Sequence, residues 1–211
     1  MPFYKILHPN QYSTVYLWKI GAEDCLSEGI ALTERSQHKL LAMRSEAQKQ
    51  AYKSVRQLLK IAGYTDADLF YDDRGKPHLK DQKYVSISHS FGFAALAVSE
   101  QEIGVDVEKK RPKIAKIRHK FVHPEKESLC PSDDPLAQLT VIWGAKEALY
   151  KIYPYGGLNF KEQLCIEPFR LDDQKTTGRL CTGIQQNKYE IQFEPLEDHI
   201  LVCALATTAH D

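Results

Sequence analysis

Three short segments carry residue types that could do chemistry together. In Gly104-Val105-Asp106-Val107-Glu108 two carboxylates stand two residues apart. On a strand they share a face, with Val105 and Val107 turned to the other side. Adjacent carboxylates repel, and a divalent cation between them removes that repulsion. An all-oxygen site suits Mg²⁺, which keeps waters and takes further ligands from phosphate. A strand with one solvated polar face would show the same pattern. In Trp143-Gly144-Ala145-Lys146-Glu147-Ala148-Leu149-Tyr150-Lys151, residues Trp143, Glu147 and Lys151 follow at i, i+4 and i+8, along one side of a helix. Glu147 is a candidate third metal carboxylate, and Lys146 and Lys151 are candidates to neutralise phosphate. A plain Glu→Lys helix pair, worth about 0.2–0.5 kcal/mol, has the same spacing. Gly144 inside a helix costs roughly 1 kcal/mol against Ala and so points to close packing. In Ser86-Ile87-Ser88-His89-Ser90, downstream of Gly75-Lys76-Pro77, hydroxyls, an imidazole and a lysine can all bind phosphate oxygens. A hydrogen-bonded turn would use the same residues. G-x-S-x-G, a Walker A loop and G-x-G-x-x-G are absent.

These residues need elements to hold them. Residues 3–20 alternate and carry aromatics, which predicts a strand there. From about Thr33 to Ala62 the spacing predicts one long helix, with Thr33 as N-cap, Leu41, Tyr52, Val55, Leu59 and Ala62 on one face, and Gly63 as its stop. Turn signals follow at Asp72-Asp73 and at 75–77. YVSISHS, FAALAVS and IGVDVE then read as three strands. A second long helix is predicted from Pro135 to Tyr153, where Leu136, Leu139, Ile142, Trp143, Leu149 and Ile152 keep a helical period and Pro135 suits the first turn. After Gly156-Gly157, QLCIEPF, GRLCTGI, YEIQFEP and HILVCALAT read as strands. The order is helix then strands, twice. It predicts an α+β chain in two halves of about 100 residues, 1–103 and 104–211, packed as one unit because no Ser/Gly-rich linker separates them.

Composition excludes several classes. The 211 residues hold 28 Lys+Arg against 28 Asp+Glu, so the basic excess of a non-specific nucleic-acid binder is missing. With 43% hydrophobic and 10% aromatic residues the chain is not of disordered composition. No stretch approaches the roughly 20 apolar residues of a membrane span, and the N-terminus lacks the apolar core and cleavage site of a signal peptide. Cys25, Cys130, Cys165, Cys181 and Cys203 are far apart, with no CxxC, which suggests reduced thiols in a cytoplasmic protein rather than a zinc site or disulfide framework.

Taken in order, the segments resemble the 4′-phosphopantetheinyl transferases of the surfactin-synthetase-activating type. The matching pieces are Arg56-Gln57-Leu58-Leu59, the GKP at 75–77, SISHS at 86–90, GVDVE at 104–108, WGAKEALYK at 143–151 and GGLNF at 156–160. The resemblance implies that family's fold, two similar α+β halves packed as a pseudo-dimer. It also implies its reaction, that of a holo-acyl-carrier-protein synthase. The phosphopantetheine arm of coenzyme A passes to a serine of an apo acyl or peptidyl carrier protein, and adenosine 3′,5′-bisphosphate is released. Carried over by motif, Asp106, Glu108 and Glu147 would bind Mg²⁺. Lys151 would neutralise or protonate the leaving phosphate. Arg56, Lys76, Ser88 and His89 would hold coenzyme A, with Lys146 nearby. The family often supplies a proton acceptor four residues after a Phe, which matches Glu125 after Phe121; Glu127 and a water on the metal are the alternatives. Fatty-acid, polyketide and nonribosomal-peptide carriers are all compatible, as is acylated coenzyme A as donor.

Seven positive charges fall between Lys109 and Lys120, with no acid among them, and Ile114, Ile117 and Phe121 give this stretch an amphipathic spacing. It is a candidate dock for the acidic helix of a carrier protein, or a solvated helix face. Two other readings compete. Asp106 with Glu108-Lys109-Lys110 gives the carboxylates and E-x-K of a Mg²⁺-dependent nuclease, which leaves KEALYK and GGLNF unexplained. A non-catalytic coenzyme A-binding module would predict that one functional position has decayed, whereas all three carboxylates and both lysines are present. Two halves in one chain could build the cleft, so that a monomer suffices.

Overall fold

The computed structural model describes residues 3–21, 29–127, 129–183 and 185–207. Cys25 lies outside them; Cys130, Cys165, Cys181 and Cys203 are free thiols. The chain divides into two compact units, residues 1–101 and 102–211, and the described residues hold three sheets and four α-helices.

In the first unit β1 (Phe3–Asn10), β2 (Ser13–Lys19), β5 (Tyr84–Ser90) and β6 (Phe93–Ser99) form an antiparallel sheet in the order β1-β2-β6-β5. β3 (Leu69–Tyr71) and β4 (Pro77–Leu79) make a small separate hairpin. The helical stretch is not one helix but two, α1 (Glu34–Ala42) and α2 (Glu46–Ile61), because the backbone is extended at Met43 and Ser45. The split has a packing reason. α2 carries Val55, Leu58 and Leu59 into a core with Trp18, Val85 and Leu96. α1 buries only Ser36 and leaves Leu41 80% exposed, so no apolar stripe continues across the break. Thr33 is the N-cap of α1 as its type predicts, accepting from the Ser36 N–H.

In the second unit β7 (Ile103–Lys109), β11 (His199–Ala206), β10 (Gln185–Leu196), β9 (Lys175–Thr182) and β8 (Leu164–Ile166) form an antiparallel sheet in that order. α4 (Pro135–Ile152) lies across it, and Val141, Ala145, Ala148 and Leu149 of this helix have no exposed surface. Asp134 caps it, accepting from the Ala137 N–H at 2.9 Å. Two glycines set its distance from the sheet. A Cβ on Gly104 would run into the Ala148 carbonyl, and one on Gly144 would come within 2.9 Å of Val202. The basic run becomes a five-residue helix, α3 (Pro112–Lys116), and a 3₁₀ turn at Arg118–Lys120.

Candidate active site

The face of β7 that carries Gly104, Asp106 and Glu108 looks at α4, so these carboxylates do not form a solvated strand face. Asp106 is 6% exposed, and its Oδ2 lies 3.5 Å from where a Cβ on Gly144 would stand. Val105 and Val107, on the other face, have no exposed surface. Lys151, in the last turn of α4, donates to Asp106 Oδ1 at 2.8 Å and to the Val105 carbonyl at 2.8 Å. Glu108 takes the Arg111 guanidinium at 2.8 Å, across the turn into α3. Glu147 is one helical turn before Lys151. Burial pushes its carboxyl up to about 7, helped by the negative charges of Asp106 and Glu108 and opposed by Lys151. A carboxylic acid that keeps its proton near neutrality beside two carboxylates and a lysine is the arrangement expected of a site that handles charge.

Residues 102–204 match the family model of the 4′-phosphopantetheinyl transferase superfamily. The matched stretch is just under half of the chain and runs from before β7 into β11. No curated protein matches the chain. Members of the superfamily act on carrier proteins with coenzyme A as donor, so a transferase of this general type is the activity this domain supports.

Within the matched stretch the expected carboxylate triad is not gathered around one point. Among the described residues no three His, Cys, Asp or Glu side chains stand close enough to hold one ion in common. Asp106 is engaged by Lys151 and Glu108 by Arg111. The donor set itself still fits a hard divalent cation. Its three members are oxygen ligands, the charges of Asp106 and Glu108 help to raise the Glu147 carboxyl, and an ion would replace the proton that Glu147 keeps.

Two expected site residues lie elsewhere in the domain. Lys146, adjacent to Glu147 in sequence, is fully buried and points away from the carboxylates. Its Nζ donates to the Phe121 carbonyl, to Glu127 Oε2 at 2.7 Å and to the Phe160 carbonyl at 3.0 Å. An ammonium has three donors, so none is left for a phosphate. Glu127, 4% exposed, also accepts from the His123 and Ile166 N–H groups, which withdraws it as a free base. Glu125 sits on an exposed turn, where its N–H donates to His123 Nδ1. The nuclease-like E-x-K also comes apart: Lys109 pairs with Asp198 and Lys110 with Asp134.

In the first unit Arg56 is 4% exposed and donates through Nε to Asp66 at 2.9 Å and through Nη2 to the Tyr52 hydroxyl at 2.7 Å. Asp66 also accepts from the Thr33 N–H and hydroxyl and from Ser36. Burial raises its carboxyl, but these hydrogen bonds outweigh that and hold it below the usual range. Arg56 lines a cavity of about 350 Å³ with Arg35, Lys39, Tyr52, Tyr71 and Gly75. Lys39 lies 4.8 Å above the Tyr71 ring, and burial, with the charges of Arg56 and Arg35, lowers its pKa. Arg35 and Lys39 of α1 reach this cavity beside Arg56 of α2, and no motif in the sequence pointed to them. Lys76 is half-buried in a turn that wraps Asp72, whose Oδ1 accepts the Lys76 N–H at 2.9 Å. Ser88 is buried, whereas His89, next to it on β5, is exposed.

Proposed function

We propose that the protein transfers the 4′-phosphopantetheine arm of coenzyme A to a serine of an apo acyl or peptidyl carrier protein, in a Mg²⁺-dependent reaction, as the surfactin-synthetase-activating type does. The observation that carries this reading is the meeting of Asp106, Glu147 and Lys151 where α4 crosses β7, inside the matched domain. The serine oxygen attacks the phosphorus that bears the pantetheine arm. The bond from that phosphorus to the bridging oxygen breaks, and adenosine 3′,5′-bisphosphate leaves. Charge builds on the equatorial and leaving oxygens. Lys151 would neutralise or protonate the leaving oxygen. Asp106, Glu108 and Glu147 would hold Mg²⁺, which supplies further neutralisation of the pyrophosphate. With Glu127 engaged by Lys146, Glu125 is the side chain assigned to take the serine proton. Arg56, Lys76, Ser88 and His89 are assigned to coenzyme A, and Arg35 and Lys39, which share the Arg56 cavity, join them. The pairing of the two units as a pseudo-dimer and a monomeric enzyme belong to the same reading.

Incubation of apo carrier proteins with coenzyme A and Mg²⁺, followed by intact mass, tests it. One added phosphopantetheine per carrier is expected; no addition across acyl and peptidyl carriers refutes the reading. Glu108→Ala and Glu147→Ala should each abolish the product with the fold retained by circular dichroism, since both side chains face charge rather than fill the core.

A further inference from the structure

Burying a lysine and a glutamate together is an unusual use of a core. The desolvation cost is large, and an apolar pair of similar volume often does as well or better for stability. Yet Lys146 has no exposed surface, Glu127 has 4%, and five hydrogen bonds meet at the pair. What those bonds join is informative. They tie one point of α4 to the turn at 121–127, to Phe160 and to the end of β8 at Ile166. Trp143, one turn earlier, packs against the same two aromatic residues whose carbonyls accept from Lys146, with ring centroids 5.2 Å from Phe121 and 5.6 Å from Phe160. On the sheet side, α4 is seated on Gly104 and through Gly144. The glycines bring the helix close, and Leu139, Val141, Ile142, Leu149 and Ile152 fill the core around it.

We propose that the Lys146–Glu127 pair is a positioning device that fixes the roll of α4, and with it the placing of Glu147 and Lys151 against Asp106. The proposal rests on the transferase reading and takes Lys146 out of the coenzyme A site. Successive residues on a helix point about 100° apart, so holding Lys146 towards 121–127 and Phe160 directs Glu147 towards β7. Directional hydrogen bonds specify an angle; apolar contacts of the same area tolerate several.

The test is Lys146→Met with Glu127→Gln. This pair removes both charges together and leaves an amide to meet the freed backbone groups. A Trp18→Phe background makes Trp143 the sole indole. The expected result is a melting temperature within about 5 °C of the parent. The kcat for carrier modification should fall about 100-fold, as for a reacting group misplaced by an ångström. The KM values for coenzyme A and carrier should stay within about threefold, and the near-ultraviolet dichroism of Trp143 should change. Parental kcat in the folded double variant overturns the proposal. So does a raised coenzyme A KM with kcat unchanged, which would return Lys146 to the donor site. If the double variant does not fold, Lys146→Arg keeps the charge for Glu127 but not the compact ammonium, and the same drop in kcat is expected; parental kcat there also overturns the idea. A parent protein that modifies no carrier sinks the transferase reading instead, and the Trp143 signal still reports whether the roll depends on the pair.

Discussion

Glu147 is the residue where sequence, position and charge make the sharpest claim. Its folded-state pKa of about 7 stands above the ordinary value of 4.5. The sign follows from linkage. Between these values the folded protein holds a proton that the unfolded chain has lost, so raising pH through this window lowers stability. The contribution is fully present below about 4.5 and gone above about 7. Glu147→Gln fixes the neutral form at every pH. At pH 8, without divalent ions, the variant should therefore be more stable than the parent by about 2 kcal/mol, a figure reduced for partial exposure. At pH 5 the two should melt closer together. Mg²⁺ should raise the parent's melting temperature at pH 8 and leave the variant nearly unmoved. An equal difference at both pH values would show that Glu147 does not titrate near neutrality.

At the scale of elements, the decisive contact is α4 on β7. Gly104→Ala pushes a methyl group into the Ala148 carbonyl, and backbone cannot step aside as a side chain can. The expected cost is about 2–4 kcal/mol by chemical denaturation, at or above the usual range for overpacking. Gly144→Ala should cost less, since its contact is with the Val202 side chain. Near-parental stability for Gly104→Ala would mean that the helix is not seated as described. This contact also shows what the sequence could yield. β5, β6, β7, α4 and the last three strands were legible because each has a sustained apolar period, and the DxE and KEALYK spacings put Asp106, Glu108 and Glu147 on elements that pack together. The break between α1 and α2 was not, because helix propensity continues through Leu40, Leu41 and Ala42 while the packing that sustains a helix stops. The three-residue strands β3 and β4 are too short for a period to register, whereas β8 lies inside the QLCIEPF segment read as a strand. Lys146 was misread for a general reason. Helical spacing says which residues share a side, but not what lies opposite, and its partner Glu127 is 19 residues away.

Across the whole molecule, 28 positive and 28 negative groups cancel, but they do not cancel locally. Of the seven charges between Lys109 and Lys120, three are neutralised within the second unit: Lys109 by Asp198, Lys110 by Asp134 and Arg111 by Glu108. Ile114 and Phe121 turn into the core. That leaves Lys113, Lys116, Arg118 and Lys120 exposed on one short stretch. A patch of this size is too small for bulk polyanion binding, but an acidic protein surface can be steered to it. Lys113→Glu with Lys116→Glu changes the local charge by four without touching Asp106, Glu147 or Lys151. It should raise the carrier's KM about tenfold, leave the KM of coenzyme A unchanged, and flatten the dependence of kcat/KM on salt, because screening then has less attraction to remove. Both lysines lie outside the core, so the melting temperature should hold. Unchanged carrier kinetics at low salt would show that the carrier approaches by another face, and that the paired half of the run exists to anchor the turn after β7.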